Sequence, residues 1–193
     1  MVVWFIGISG AGKSTLGLKL KQYYDIYNIN SFLLDGDIVR EFFDNDLGYS
    51  RSDRVSNIKR IMLSAYVLEK NGVIPIVCNI SPFEYLRCFA RKKFDNYNEI
   101  YLQKNLEVAR SNDVKSIYKE HLGKTPLIGV DLNFESPLNS DLVLETDKEN
   151  VEISFRKTVE YILIINHPRN NKKKNPIYLY IFLCIMLNNF FFF

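Results

Sequence analysis

An α/β fold, with a five-stranded parallel sheet and helices on both of its faces, is predicted by three observations. Apolar runs of strand length alternate with amphipathic segments of helix length from the N-terminus to about residue 166, the pattern of a parallel sheet buried on both sides. A glycine-rich turn, residues 7–15, separates the first apolar run from the first amphipathic segment. A long polar connection, residues 110–137, then interrupts the alternation between the last two apolar runs, and connections of that length in a compact domain usually carry function.

Residues 2–8 form the first expected strand and 13–24 the first helix. A second strand at 31–34 precedes a helix at 52–71, for which Ser52 is the expected N-cap and Gly72 the residue just past the end. The third strand, 74–80, leads to a helix at 82–93, and the fourth strand covers 99–103. Residues 110–137 contain Gly123, Pro126, Gly129 and Pro137 and are expected to form a mobile lid. A fifth strand at 141–145 and a helix at 150–165 complete a single domain, residues 1–166. There is no internal repeat.

Composition fits that picture. The chain has 193 residues, 47% of them hydrophobic, 14% aromatic and 24% charged, enough for one core and too apolar for a disordered chain. The formal charge of +3 is uneven: Arg169, Lys172, Lys173 and Lys174 are four of the 25 bases, leaving 21 against 22 acids in the rest. A body so balanced is not a nucleic-acid binder, which gathers Lys and Arg on one face. Cys78, Cys88 and Cys184 form no C-x-x-C pair, and with only His121 and His167 present no Cys/His zinc cluster is expected. The first residues lack the pattern of a signal peptide, so a reducing cytoplasm is the expected compartment. Residues 167–193 are a basic, then apolar, low-complexity tail. It reads as a disordered AT-rich reading-frame extension in preference to a weak membrane anchor, since residues 177–193 are interrupted by Asn188 and Asn189 and fall short of the ~20 residues a spanning helix needs.

The sharpest signal is Gly7-Ile-Ser9-Gly10-Ala11-Gly12-Lys13-Ser14-Thr15. It matches G-x-x-x-x-G-K-[ST] and stands after a strand and before a helix, where its backbone N–H groups and the helix N-terminus make a phosphate cradle. Lys13 is placed to reach the β- and γ-phosphates and the Ser14 hydroxyl to ligate Mg²⁺. The bound nucleotide is therefore ATP or GTP. No Asn-Lys-x-Asp segment follows, and a small body with a lid suits a kinase of a small molecule. Past the second strand, Asp35-Gly-Asp37-Ile-Val-Arg40 brings two carboxylates and a guanidinium to the end of the sheet where ligands of open α/β folds bind. A carboxylate there can orient an attacking hydroxyl or hold Mg²⁺, and the arginine can clamp an anion.

These blocks, with Asp46-Leu-Gly-Tyr49-Ser, Asp53-Arg54-Val-Ser-Asn57-Ile-Lys59-Arg60, Ile80-Ser81-Pro82-Phe83, Lys115-Ser-Ile-Tyr118, Gly129-Val-Asp131 and Glu135-Ser-Pro137, make the chain resemble the adenylylsulfate (APS) kinase family up to about Thr146. The resemblance implies a P-loop kinase fold and Mg²⁺- and ATP-dependent phosphorylation of a nucleotide's ribose 3′-hydroxyl. It implies that Asp35 orients or deprotonates that hydroxyl, and that Asp37, Arg40, Arg54 and Asn57 contact the acceptor, with Ile80 and Ser81 lining its site. It further implies that Lys115 closes over the phosphates from the lid, and that the enzyme forms a homodimer. For Ser81 a substrate hydrogen bond is preferred to a phosphorylated intermediate, because direct in-line transfer suffices. Arg60 is expected to be solvated, and Phe42 and Phe43 to pack on the core.

The pattern departs from the family where the acceptor's adenine would lie between two rings. Tyr49 keeps one stacking face, whereas Leu127 replaces the other; base–aromatic stacking is worth ~1–3 kcal/mol per base. Two acceptors therefore remain open on the residues: APS, and a cytidine nucleotide of the cytidine 5′-diphosphoramidate type used in bacterial capsule modification. A third reading, a regulatory nucleotide-binding module without catalysis, conflicts with the presence of Lys13, Ser14, Asp35 and Arg40.

Overall fold

The computed structural model describes residues 1–112 and 126–166. Its strands are β1 (Val2–Ile6), β2 (Ser31–Asp35), β3 (Ile74–Cys78), β4 (Tyr97–Gln103) and β5 (Leu142–Glu145). The helices among these residues are α1 (Lys13–Ile26), α2 (Gly36–Phe42), α3 (Arg51–Lys70), α4 (Glu84–Lys93), α5 (Leu106–Ser111) and α6 (Val151–Ile165). All strand pairs are parallel, in the order β2-β3-β1-β4-β5. Lys115, His121 and the tail from residue 167 lie outside the described residues, and no helix among the described residues is long and apolar enough to cross a membrane.

Strand β1 is central and buried along its whole length, and its side chains alternate between two cores, as a period of two requires. Val3 and Phe5 join Leu16, Leu20 and Tyr24 of α1 and Val159, Ile162 and Leu163 of α6 on one face. Val2, Trp4 and Ile6 join Ile58, Ile61, Met62 and Ala65 of α3 and Leu86 and Ala90 of α4 on the other. Each fully buried Leu, Ile or Phe contributes about 1.5–3 kcal/mol, so both layers are needed to hold the strand ends in place.

The expected strands are all present, with shifted ends. β1 stops at Ile6 because Gly7 turns the chain at φ +143°, and β3 stops at Cys78. Helix α3 starts one turn-position earlier than its sequence suggests, and its N-cap is Ser50, not Ser52. Ser50 Oγ accepts from Asp53 N–H while the Asp53 carboxylate accepts from Ser50 N–H, a reciprocal capping box that Ser52, already inside the first turn, has no geometry to make. Gly72, at φ +74°, follows the Asn71 C-cap as expected. Phe42 is 82% exposed and Phe43 40% exposed, so they do not join the core; the rings instead meet edge to face.

Helix α1 lies close on the sheet at one point. A Cβ on Gly17 would overlap Cys78 Sγ outright and press on Leu33 Cδ1 at 3.1 Å, while Cys78 Sγ–H donates to the Lys13 carbonyl at 3.2 Å. In an open helix interior Gly→Ala stabilises by up to about 1 kcal/mol; here the sign should reverse. Gly17→Ala is expected to destabilise by about 1–3 kcal/mol in urea denaturation. Adding Cys78→Ala should recover at least ~0.5 kcal/mol of that loss as a coupling energy, and strictly additive changes would show that the contact is not tight.

Candidate functional site

The phosphate loop is held from three sides. Gly7 passes so close under β4 that a Cβ would stand 2.6 Å from the Leu102 carbonyl, and its N–H donates to the Ile80 carbonyl at 3.4 Å. Lys104 Nζ, just past β4, donates to the Gly10 carbonyl at 3.1 Å. Gly12 is the left-handed N-cap of α1 at φ +100°, which turns Lys13 and Ser14 into its first turn. The Lys13 ammonium bridges the carbonyls of Gly7 and Ile8 at 2.9 and 2.8 Å, spanning the loop where phosphates would lie. Ser9, Ala11 and Thr15 complete the loop.

Asp35 connects this loop to the next segment. Its Oδ2 accepts the Ser14 hydroxyl at 2.6 Å, and its Oδ1 accepts Asp37 N–H at 3.0 Å, which makes Asp35 the N-cap of α2. The sequence predicts no element over this segment; the Asp35 cap marks where a helix starts there. Asp37 is exposed, whereas Arg40, one turn on, is 7% exposed.

The other expected acceptor residues converge near α2. Along α3 the buried positions are Arg54, Asn57, Ile58, Ile61, Met62 and Ala65, so Arg54 and Asn57 occupy the first places of an i, i+3, i+4 core stripe. Arg40 Nη1 donates to the carbonyls of Leu47 and Gly48, both at 3.0 Å. Arg54 donates to the Tyr49 carbonyl at 3.0 Å and the Pro126 carbonyl at 2.6 Å. Both guanidiniums lie against the Tyr49 ring, at 4.6 and 5.3 Å from its centroid. Burial, and then Arg40 beside it, hold the Arg54 pKa below the ordinary arginine value. Among the described residues neither arginine has a carboxylate partner, so two nearly buried cations rest on carbonyl dipoles and one aromatic face. Such a pair is suited to an anion. Asn57 Nδ2 donates to the Gly36 carbonyl at 3.4 Å, and its buried Oδ1 has no partner among the described residues.

Arg54 also brings together the two positions expected to flank a base, since it binds Tyr49 on one side and Pro126, beside Leu127, on the other. Tyr49 is 42% exposed, but Leu127 is 7% exposed and Ile128 1% exposed. A turn in which Asp131 and Leu132 N–H donate to the Leu127 carbonyl, and Leu127 N–H to Asp131 Oδ2 at 2.8 Å, packs this part of the expected lid onto the body. Its other expected end, Arg110, belongs to the last turn of α5.

Ser81 departs from the expected role. It is 2% exposed and left-handed at φ +46°. Its hydroxyl accepts from Trp4 Nε1 at 2.9 Å and donates to Asn79 Oδ1 at 3.0 Å, and its N–H uses the same Asn79 oxygen at 2.9 Å. With its single hydrogen committed to Asn79, the hydroxyl has none to offer a substrate in this arrangement. Ile80 is half-buried and reaches the phosphate loop through its carbonyl. Trp4, Asn79, Arg87, Lys104 and Glu135 were not singled out from the sequence, although Glu135 stands in a quoted block. The signal for Arg87 was available: with Phe83, Leu86 and Ala90 it falls on the buried stripe of α4, where an arginine is out of place on a merely solvated face.

Arg60, expected to be solvated, forms a two-pronged pair with Asp46 at 2.7 and 2.8 Å and covers the Phe43 ring at 4.1 Å. No group of three or more His, Cys, Asp or Glu residues that could hold a metal occurs among the described residues. The Ser14 and Asp35 oxygens are nevertheless adjacent hard donors of the kind Mg²⁺ takes alongside phosphate oxygens.

The family model for adenylylsulphate kinase matches residues 1–145. The adenylyl-sulfate kinase of Halothermothrix orenii is 38% identical over 164 residues, 84% of this chain and 89% of its own. That of a Picosynechococcus species is 36% identical over 162 residues, covering 83% and 92%. In three dimensions the APS kinase of Mycobacterium tuberculosis, solved with AMPPNP and APS, matches with a TM-score of 0.78 at 29% identity, over 83% of this chain and 96% of that one.

Cys78 lies under this site and invites a chemical test of whether it takes part. Burial, and then the Asp35 carboxylate nearby, push its thiol up to about 12. At pH 8 a thiol so placed is ionised in only about one molecule in ten thousand. Iodoacetamide at pH 8 is therefore expected to modify exposed Cys88 and spare Cys78 until denaturant is added. Labelling of Cys78 in the folded protein, followed by peptide mapping, would contradict that burial.

Proposed function

The chain belongs to the adenylylsulfate kinase family, and from that premise we propose that it transfers the γ-phosphoryl group of ATP to the ribose 3′-hydroxyl of adenylyl sulfate. The observation that carries this reading is the 2.6 Å hydrogen bond between Ser14 and Asp35, which sets a carboxylate directly beside the phosphate loop. Asp35 accepts the hydrogen of the 3′-hydroxyl as the new O–P bond forms and the bond from the γ-phosphorus to the ADP oxygen breaks. The proton passes from Asp35 to solvent. Lys13 leaves the Gly7 and Ile8 carbonyls for the β- and γ-phosphates, where its charge is needed as the phosphoryl group moves. Mg²⁺ would be held by the Ser14 hydroxyl with Asp35 beside it, and it supplies charge neutralisation on the phosphates.

Arg40 and Arg54 take the acceptor's anionic groups and Tyr49 supports its base, while Asn57 offers its Oδ1, which has no partner among the described residues. Asp37 and Ile80 line the approach; the role that the resemblance implies for Lys115 falls outside the described residues. For Ser81 the geometry favours shaping the β3–α4 turn over contact with substrate. The cytidine reading drew its support from Leu127 and from the Asp113-Val-Lys115-Ser-Ile-Tyr118 run, and of the two Leu127 lies among the described residues. A leucine packed at 7% exposure in a closed turn fits a substitution within the body better than the loss of a free stacking platform, so adenylyl sulfate is the preferred acceptor.

ADP release from Mg-ATP tests the reading directly. Adenylyl sulfate is expected to be turned over in preference to cytidine 5′-diphosphate derivatives; the opposite order would replace the acceptor. Asp35→Ala is expected to lower kcat about 10²–10⁴-fold, the usual range for a positioned acid–base group, with the ATP KM changed little. A large loss of ATP affinity instead would make Asp35 chiefly a metal organiser.

A further inference from the structure

Among the described residues Arg87 is the most completely buried cation of the site region, at 2% exposure, and the reaction above makes no use of it. Its Nη1 donates to the Ser81 carbonyl at 2.7 Å and its Nη2 to the Glu135 carbonyl at 2.6 Å; Nη2 also pairs with Glu84 Oε2. The Glu135 carboxylate in turn accepts Glu84 N–H at 2.6 Å, and Glu135 N–H donates to the Pro82 carbonyl at 2.9 Å. A rigid guanidinium fork thus holds two stretches of chain that are 54 positions apart in neither helix nor strand pairing: the turn around Ser81, and residues 132–137.

The second stretch is held at both ends. Arg54 binds the Pro126 carbonyl within the acceptor cluster, and Arg87 binds Glu135 beneath the Ser81 turn. Between these points lies the packed Leu127–Asp131 turn. The first stretch is no less constrained, because Ser81 is left-handed, a conformation that costs a non-glycine residue of order 1–3 kcal/mol, and it adjoins Asn79, which crowds Gly36 at the start of α2. A buried arginine with carboxylates around it is a weak stabiliser compared with apolar packing, so stability alone is a poor reason for its place.

We propose that Arg87 is a positioning residue for phosphoryl transfer, acting through Ser81 and Glu135 to fix the spacing between the β3–α4 turn and the segment 126–137 that together bound the acceptor side. The proposal rests on the reading of the Arg40–Arg54 cluster as the acceptor site. Arg87→Lys keeps the charge but has a single nitrogen and no fork. Its expected signature is a KM for adenylyl sulfate raised about tenfold with the KM for ATP within twofold of the parent. Glu135→Ala, which leaves the Arg87 fork on backbone carbonyls and removes the clasp on Glu84 N–H together with the exposed Arg51 pairing at 3.8 Å, should shift the same constant by a smaller factor, and it decides the matter if Arg87→Lys does not fold. Amide hydrogen exchange without substrate supplies an independent readout: peptides covering residues 79–83 and 132–137 should exchange faster together in Arg87→Lys, with β1 and α1 unchanged. An unchanged acceptor KM, or a fall in kcat with both KM values unaltered, overturns the positioning role. If the parent protein does not turn over adenylyl sulfate, the proposed reaction fails and exchange alone decides: joint acceleration of the two segments upholds the coupling, and independent or absent acceleration overturns it.

Discussion

The Asp35 carboxylate performs two structural tasks with its two oxygens, and the site is arranged around that division. Oδ1 caps α2 through Asp37 N–H, and Oδ2 takes the Ser14 hydroxyl of the phosphate loop. The cap gives α2 its start, and with it the placement of Arg40 one turn later on the buried side. The Ser14 bond fixes how far that helix stands from the loop. Such a cap is worth about 0.5–2 kcal/mol, modest in energy, but it decides the direction in which the acceptor residues leave the sheet. The strands beneath impose the rest: β2 pairs with β3 so that Asp35 lies level with Cys78, and β3 pairs with β1 so that Cys78 lies level with Phe5. Carboxylate and phosphate loop therefore emerge at one end of the sheet.

Electrostatics separates the arginines by function. Arg87 is surrounded by acids: Glu84 pairs with it and Glu99 lies 3.9 Å from its Nε, although burial still raises the Glu99 pKa. Arg60 pairs with Asp46, and the hydrogen bond between them lowers the Asp46 pKa and raises that of Arg60. Among the described residues Arg40 and Arg54 have only carbonyls and the Tyr49 ring. Burying a cation without a counter-charge costs several kcal/mol unless hydrogen bonds and a ligand offset it, so the exception among these arginines points to where an anion goes. The exceptions lie on α2 and α3, next to the carboxylate that touches the phosphate loop, which gives the proposed acceptor cluster its orientation relative to that loop.

Much of the fold was legible because each strand is a run of apolar residues at a position where the alternation demanded one. The phosphate loop was legible because its glycines and Lys13 have few other uses at that spacing. What escaped depended on contacts that sequence distance conceals. Helix α2 begins with Gly36 between two aspartates, residues that favour turns, and the contacts that favour a helix there, the Asp35 cap and the burial of Val39 and Arg40, are tertiary or conformational. Helix α5 is six residues long, too short for a periodic signal. The engagement of Ser81 with Trp4, 77 positions away, had no local mark. Arg54 and Asn57 were found through family resemblance, yet the core stripe of α3 marks them independently, as the stripe of α4 marks Arg87. A polar residue on the apolar face of a helix is thus the common physical trace of the acceptor side.

The two substrates meet sites in different states of preparation. The phosphate loop is preformed, with Gly7 pinned under the Leu102 carbonyl and Lys13 already folded across the loop. Nucleotide binding would then exchange two ammonium–carbonyl hydrogen bonds for bonds in which the phosphate acceptor is ionised as well as the donor, with little backbone to reorder. The acceptor side instead balances like charges: Arg40 lowers the Arg54 pKa, and both press on one partly exposed ring. An anion entering there relieves that repulsion as well as gaining hydrogen bonds. The fixed spacing of the surrounding segments holds the two guanidiniums close to one another, so that a single anion lying between them would gain from both at once.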